Sequence, residues 1–251
     1  MRIHEITEGL VQPQRTTSTP LNQPYDLGQL KQDSNKRVGQ GWYSYGTPNE
    51  RPEEYNVATH MPSRVHLDAK YLWISTIEPY MGDNPYLPVY YNIKQHPDSL
   101  GRARLEYQMK RYYALRDIQM RYYELSGDSR SSDDKRLVKQ LTLMVRQALD
   151  DPEINFYTSN PEKVFSDFVR TCEKMARGSE PITGNPEFVQ AIKLIKNLLD
   201  THPELDNDMH TGNIMLDVTP YGLVPVFTDP ISDGGKSIIS PQNPNIDRKS
   251  V

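Results

Sequence analysis

Apolar residues recur every three or four positions in four stretches of the chain, the spacing that places them on one face of an α-helix. One stretch lies within residues 67–77, and the other three lie between residues 135 and 200. The last two begin with Asn-Pro-Glu, at Asn160 and Asn185, which supplies a capping side chain, a proline at the first helical position and an acidic first turn. The predicted inward-facing positions are Leu67, Tyr71, Ile74 and Ile77; Leu137, Leu141, Met144 and Ala148; Phe165, Phe168, Cys172 and Met175; and Phe188, Ile192, Ile195 and Leu199.

Strand signals lie on both sides of these helices. Val89 to Ile93 combine β-branched and aromatic residues, which favours a strand, and residues 100–125 are interpreted as a strand that runs into a helix. After the last helix, residues 205–216 and 223–232 predict a loop and two short strands joined by a turn. The order is a strand-rich N-terminal half, a helical C-terminal half and a final β-hairpin, which predicts an α+β fold.

Both ends of the chain lack a helical or a strand period. Residues 11–36 are rich in Gln, Thr, Pro and Asn, and the tail has the same character, which is typical of disordered or surface-wrapping arms. Residues 126–134 predict a polar linker between periodic segments. We therefore divide the chain into an N-terminal arm of residues 1–36, a strand-rich lobe of residues 37–109, a helical lobe of residues 110–232 and a C-terminal tail of residues 233–251.

Composition limits the size of the core and the class of partner. Leu, Ile, Val and Phe make up about 22% of the 251 residues, only just above the ~20% below which a chain tends to stay disordered. The formal net charge of −4 gives no global reason to bind nucleic acid or an anionic membrane. No apolar run approaches the ~20 residues of a bilayer span, and no secretory signal is visible. With Cys172 as the only cysteine, we expect a soluble protein of a reducing cytoplasm.

The most specific chemical signal is Asp208-Met-His210-Thr-Gly-Asn213, followed sixteen residues later by Asp229. Phosphoryl transfer from a nucleotide needs a carboxylate that orients the attacking hydroxyl and oxygen ligands for magnesium. Asp208 is therefore the candidate catalytic base, and Asn213 and Asp229 are the candidate metal ligands. Each of these residues alone is more typical of a turn, so the prediction depends on their combination between an amphipathic helix and a hairpin.

This segment resembles the catalytic loop and the metal-binding Asp of the protein-kinase-like superfamily. Its Asp-x-His-x-Gly-Asn-Ile form is similar to the aminoglycoside phosphotransferase branch, and the run up to Pro225-Val-Phe-Thr-Asp229-Pro resembles most the small serine/threonine kinases of short-tailed bacteriophages. The resemblance implies a bilobed kinase-like fold over residues 37–232, with ATP and Mg²⁺ as cofactors. It also implies a phage-encoded protein in the cytoplasm of the infected bacterium or in the virion, and a role for His210 in hydrogen bonds within the loop.

The same resemblance implies a nucleotide site in the strand-rich lobe. Gly39, Gly41 and Ser44 stand at the three positions of a glycine-rich loop that covers phosphates, although a lone Gly-x-Gly is also typical of a hairpin turn. Val57-Ala-Thr-His60 matches the strand that ends in a phosphate-binding lysine in this superfamily, so His60 stands where lysine is expected.

The replacement by His60 leaves two hypotheses open. An imidazole with an ordinary pKa near ~6.5 is mostly neutral at pH 7, and Arg64 and Lys70 are the alternative cations. Only 22 residues follow Asp229, so we do not expect a docking site for an extended peptide. We predict an ATP- and magnesium-dependent phosphotransferase. The alternative is a catalytically degenerate binding or scaffold protein that grips a protein partner with its two arms.

Overall fold

The structure, a computed structural model, describes most of the chain between Gly39 and Asp233. The described residues are 39–40, 44–48, 55–60, 69–97, 103–126 and 129–233. Both predicted arms lie outside them, apart from Asp233, and so do Gly41, Arg64 and Leu67.

Five antiparallel strands form the N-terminal sheet, in the order β1-β2-β3-β5-β4. Because β1 pairs with β2 and β3 pairs with both β2 and β5, the chain makes a hairpin before it reaches the centre of the sheet. Helix α1 (Ala69–Ile77) and a short 3-10 helix (Glu78–Tyr80) connect β3 to β4. The strands are β1 (Gly39–Gln40), β2 (Ser44–Pro48), β3 (Tyr55–His60), β4 (Tyr90–Pro97) and β5 (Ala103–Lys110).

Four helices follow the sheet, and α3 packs against both α2 and α4, while α4 packs against α5. The two predicted caps are present: Asn160 Oδ1 accepts from the Lys163 amide at 3.1 Å, and Asn185 Oδ1 accepts from the Phe188 amide at 2.9 Å. Each cap satisfies an amide at the start of a helix that has no partner within the helix. The helices are α2 (Leu115–Ser126), α3 (Arg130–Leu149), α4 (Pro161–Ala176) and α5 (Pro186–Thr201).

Two small antiparallel pairs end the described chain. Strand β7 (Ile214–Thr219) and strand β8 (Gly222–Phe227) form the predicted hairpin, and β6 (Leu205–Asn207) pairs with β9 (Ile231–Asp233) around it. This nesting places the β6–β7 loop next to the β8–β9 loop. Strand β9 also contacts α1, so the end of the described chain reaches the helix that precedes β4.

One hydrophobic cluster joins the sheet, the helices and the hairpin. The predicted inward positions of α3 and α4 are all buried, and the Phe188 ring lies 6.1 Å from the Phe227 ring at the end of β8. Burial of this kind stabilises the fold by about 25 cal/mol per Å² of apolar surface. The α+β class predicted from the order of elements is confirmed. None of the described helices combines the length and the apolar character that a membrane span requires.

Helix α1 buries Ile74 and Ile77 as predicted, but its predicted face is wrong at Tyr71. Tyr71, predicted to face inward, is 44% exposed, whereas Lys70 is buried together with Trp73, Ile74 and Ile77. A spacing of three or four residues fits both faces, and the aromatic surface beside α1 decides between them.

Two predicted boundaries are also wrong. The polar stretch 126–134 is not a linker throughout, because α2 continues to Ser126 and α3 begins at Arg130, after an extended Ser129. The first turn of α3 is polar, so it contains no repeat of apolar residues from which the sequence alone could predict a helix. The tail does not begin at Asp233, because that residue pairs with Leu205 in the β6–β9 ladder.

Candidate active site

The β6–β7 loop that carries Asp208 and His210 is fastened by its own main chain. The His210 oxygen accepts from the amides of Asn213 and Ile214, at 2.9 and 3.1 Å, and the Asp208 amide donates to the Pro230 oxygen at 3.0 Å. The Gly212 amide donates to His210 Nδ1 at 3.0 Å, as predicted for a histidine that hydrogen-bonds within its loop. A Cβ at position 212 would lie 2.9 Å from the His210 ring, which favours glycine there.

Asn213 joins the side chain of Asp208 to the main chain of Asp229. Its side-chain amide donates to the Asp208 main-chain oxygen at 2.8 Å and to Asp208 Oδ2 at 2.9 Å. Its main-chain oxygen accepts from the amides of Thr228 and Asp229, at 3.0 and 3.2 Å. The structure therefore brings Asp208, Asn213 and Asp229 together around one hydrogen-bonded centre.

The electrostatic environment makes Asp208 a stronger base than an ordinary aspartate. Partial burial raises its pKa, and the negative charges of Asp229 and Asp206 raise it further against the opposing effects of His210 and the Asn213 amide. The side chain nevertheless stays 42% exposed, so it can reach a bound molecule. A raised pKa favours proton transfer to this carboxylate.

Lys70, on the buried face of α1, supplies the cation that lies against this centre. Its Nζ donates to the Thr228 oxygen at 2.9 Å and lies 3.4 Å from Asp229 Oδ1. The Tyr90 and Tyr107 ring centroids lie 5.3 and 5.7 Å from the same nitrogen, within the range of cation–π attraction. The Tyr90 hydroxyl also donates to the Thr228 oxygen, at 3.1 Å.

Lys70 remains charged despite its burial. Burial alone would lower its pKa, but the Asp229 carboxylate opposes this effect, and the pKa lies well above its ordinary value. Only 8% of the Lys70 side chain is exposed, whereas 44% of the Asp229 side chain is. The carboxylate is therefore the more exposed partner of the pair.

A cavity of about 600 Å³ lies beside Asp208. This volume falls within the range of small-molecule sites. Neither Asn213 nor Asp229 lines it, so Asp208 is the residue that connects the cavity to the hydrogen-bonded centre. The lining residues are Ala176, Arg177, Leu199, Asp200, Asp206, Asn207, Asp208 and Ser232.

The donor set around Asn213 fits magnesium better than zinc. Among the described residues, no group of three or more His, Cys, Asp or Glu side chains is placed to hold a metal ion. Asn213 and Asp229 offer oxygen atoms, which Mg²⁺ prefers, and magnesium commonly uses one or two carboxylates together with substrate phosphates. A protein cage with more ligands is not required for such a site.

The predicted nucleotide-binding residues are described only through their backbone. Gly39 lies in β1 and Ser44 lies in β2, the strand that pairs with it, and His60 ends β3 opposite Ser44 and Leu105. Their contacts with a nucleotide stay predictions. Lys70 is a predicted alternative to His60 for the phosphate-binding cation. The sequence signal that distinguishes Lys70 is its place among the apolar positions of α1.

A scan of protein-family models finds no match to this chain, and a search of curated proteins finds no relative.

Proposed function

We propose that this protein is an ATP- and magnesium-dependent phosphotransferase with a bilobed, protein-kinase-like fold. The observation that carries the proposal is the junction of Asp208 and Asp229 through Asn213. Phosphoryl transfer depends mainly on positioning and on charge stabilisation, and this centre supplies a base, two metal ligands and a nearby cation.

The order of elements supports the proposed fold. A strand-rich sheet with one inserted helix precedes a helical region, and the loop that carries Asp208 leads into the β7–β8 hairpin, after which Asp229 follows. This order agrees with the one that the resemblance implies. The helices between residues 130 and 201 would form the larger lobe.

In the proposed reaction, Asp208 orients the acceptor hydroxyl and accepts its proton, while the hydroxyl oxygen forms a bond to the γ-phosphorus of ATP, the bond to the bridging oxygen breaks and ADP leaves. Its raised pKa and its position between the cavity and the Asn213 centre suit both tasks. Asn213 and Asp229 would hold magnesium, which neutralises phosphate charge when it is bound. The 600 Å³ cavity, which Asp208 lines, would give the acceptor a place next to the proposed base.

Thermal-shift titration with ATP, with and without magnesium, tests nucleotide binding. A ligand that binds only the native state raises stability by about 2.7 kcal/mol at 100 times its Kd, so wild type should gain a readable shift that requires magnesium. Asp229→Asn should lose most of this shift. Asp167→Asn, on the exposed side of α4, is the matched control and should keep it. A wild-type protein that gains no shift would contradict the proposal.

A measurement of phosphoryl transfer distinguishes an enzyme from a scaffold protein that only binds the nucleotide. ATP consumption by wild type should fall at least about 100-fold in Asp208→Asn, within the range that general-base catalysis contributes, while the ATP shift persists. A magnesium-dependent ATP shift in wild type without any transfer would favour the scaffold alternative.

A further inference from the structure

We propose that Lys70 is the phosphate-binding cation of this site and that it is shared between Asp229 and the bound nucleotide. The inference rests on the proposed function and assigns the cation to helix α1 rather than to position 60 of β3. It also predicts that Lys70 couples the binding of magnesium to the binding of nucleotide.

The ion pair of Lys70 is longer than a charge-assisted hydrogen bond. The Lys70 Nζ to Asp229 Oδ1 distance is 3.4 Å, whereas Lys110 Nζ, in a pair whose lysine is the more exposed partner, lies 2.6 Å from Asp217 Oδ2. Charge-assisted N–H···O bonds are usually about 2.7–2.9 Å long. The closer partner of Lys70 is the Thr228 main-chain oxygen at 2.9 Å, which carries no net charge. The ammonium is therefore held by a neutral main-chain oxygen at the shorter distance and by the Asp229 carboxylate at the longer one.

The surroundings of Lys70 keep its nitrogen at the loop that contains Asp229. The rings of Tyr90 and Tyr107 lie beside it, and the Tyr90 hydroxyl donates to the same Thr228 oxygen. One residue earlier in α1, the Ala69 amide donates to Asp233 Oδ1 at 2.8 Å, which attaches the start of the helix to β9. A cation that is positioned before the ligand arrives loses less freedom on binding.

A positive charge 3.4 Å from Asp229 opposes a metal ion at the same carboxylate. Without nucleotide, Lys70 and Mg²⁺ therefore compete for Asp229. Nucleotide phosphates bring negative charge that both cations can share, so the competition is relieved when the nucleotide binds. Removing the charge of Lys70 should consequently have opposite effects on the two ligands.

The test measures Mg²⁺ binding alone and ATP binding in the presence of magnesium, by calorimetry on the full chain. Lys70→Met should weaken ATP binding about tenfold or more, as expected for the loss of a hydrogen bond to a charged group, and should strengthen Mg²⁺ binding in the absence of nucleotide. Lys70→Arg should keep the wild-type pattern. The control variant Lys110→Met removes the ion pair between Lys110 and Asp217 and should change neither the ATP affinity nor the Mg²⁺ affinity.

Lys70→Gln provides a second neutral variant, in case Lys70→Met does not fold. It keeps a donor for the Thr228 oxygen and should show the same opposite changes as Lys70→Met. A purely structural lysine would lower thermal stability without strengthening Mg²⁺ binding, and that result would overturn the inference. An unchanged ATP affinity in a folded neutral variant would also overturn the inference. If wild type nevertheless binds magnesium and ATP, the proposed function is not affected by that result. Wild type without magnesium-dependent ATP binding would overturn both.

Discussion

The side-chain amide of Asn213 donates to two oxygens of Asp208, the main-chain oxygen at 2.8 Å and the carboxylate Oδ2 at 2.9 Å. An amide suits this position because it supplies donors, whereas an ionised carboxylate can only accept. The main-chain oxygen of Asn213 meanwhile accepts from the Asp229 amide. At position 213, an Asn side chain therefore attracts the Asp208 carboxylate, whereas an ionised Asp side chain would repel it.

Asn213→Asp should lower the free energy of unfolding by about 1–3 kcal/mol near neutral pH, because it replaces a donor with a second carboxylate facing Asp208. Two carboxylates that share one position raise a folded-state pKa. Stability is then present at low pH and lost as the pH rises through that raised pKa. Urea midpoints at pH 5 and pH 8 should show a gap from wild type that widens at pH 8.

Asn197→Asp, on the exposed face of α5, is the control for this substitution. The urea midpoint of this control should differ little from that of wild type, and the difference should be the same at pH 5 and at pH 8. A gap for Asn213→Asp that stays constant from pH 5 to pH 8 would show that the two carboxylates do not face each other.

Asp208→Asn should stabilise the fold slightly while it removes the proposed base. Partial burial raises the Asp208 pKa in the folded state, so its ionised form costs stability above that pKa, and the cost disappears as the pH falls and the group is protonated. Because the side chain is 42% exposed, we expect a rise in Tm at pH 7 of less than about 4 °C. Melting curves from pH 4 to pH 7 should converge at the acidic end. A variant that is less stable than wild type at pH 7 would contradict the raised pKa.

Ile195→Ala should cost about 2–5 kcal/mol, because the Ile195 side chain in α5 is fully buried. The change leaves a cavity between α5 and the rest of the core. Urea unfolding measures the loss, and Asn197→Ala, two residues away on the exposed face, should stay within about 0.5 kcal/mol of wild type. Equal midpoints for the two variants would mean that α5 does not present this face to the core.

The helices could be predicted because their signals are local. In α4, four apolar positions and the Asn160 cap lie within one short stretch, and the structure buries those positions and forms that cap. The loop from Asp208 to Asn213 was likewise recognisable, since its residues are close together in the sequence. Such features need no knowledge of what lies elsewhere in the chain.

The position of Lys70 could not be predicted in the same way. Which face of α1 is buried depends on Tyr90 and Tyr107 in a later hairpin and on the loop after β8. The spacing of apolar residues therefore pointed to Tyr71, one position away. Strands β6 and β9 were missed for a related reason: each has three residues, which is too short for an alternating pattern to be recognised.

Asn185→Ala should destabilise the protein more than Asn160→Ala, although both residues cap a helix. Loss of the Asn160 cap should cost about 1 kcal/mol. Asn185 also donates from Nδ2 to the Tyr86 hydroxyl at 2.6 Å and to the Gln147 oxygen at 2.7 Å, so its loss should cost about 1–3 kcal/mol more. Chemical denaturation of both variants gives the comparison. Equal costs would show that the contacts beyond the cap contribute nothing.

The hydrogen bond between Ala69 and Asp233 spans 164 residues, and the contact between Lys70 and Asp229 spans 159. Contacts between such distant parts of a chain close large loops and form late in folding. On a ribosome, which adds about 5–20 residues per second, α1 emerges well before strand β9 that it contacts. The surface of α1 that contacts β9 therefore stays uncovered until the last described strand has been made. Apolar surface that is exposed during this interval favours aggregation.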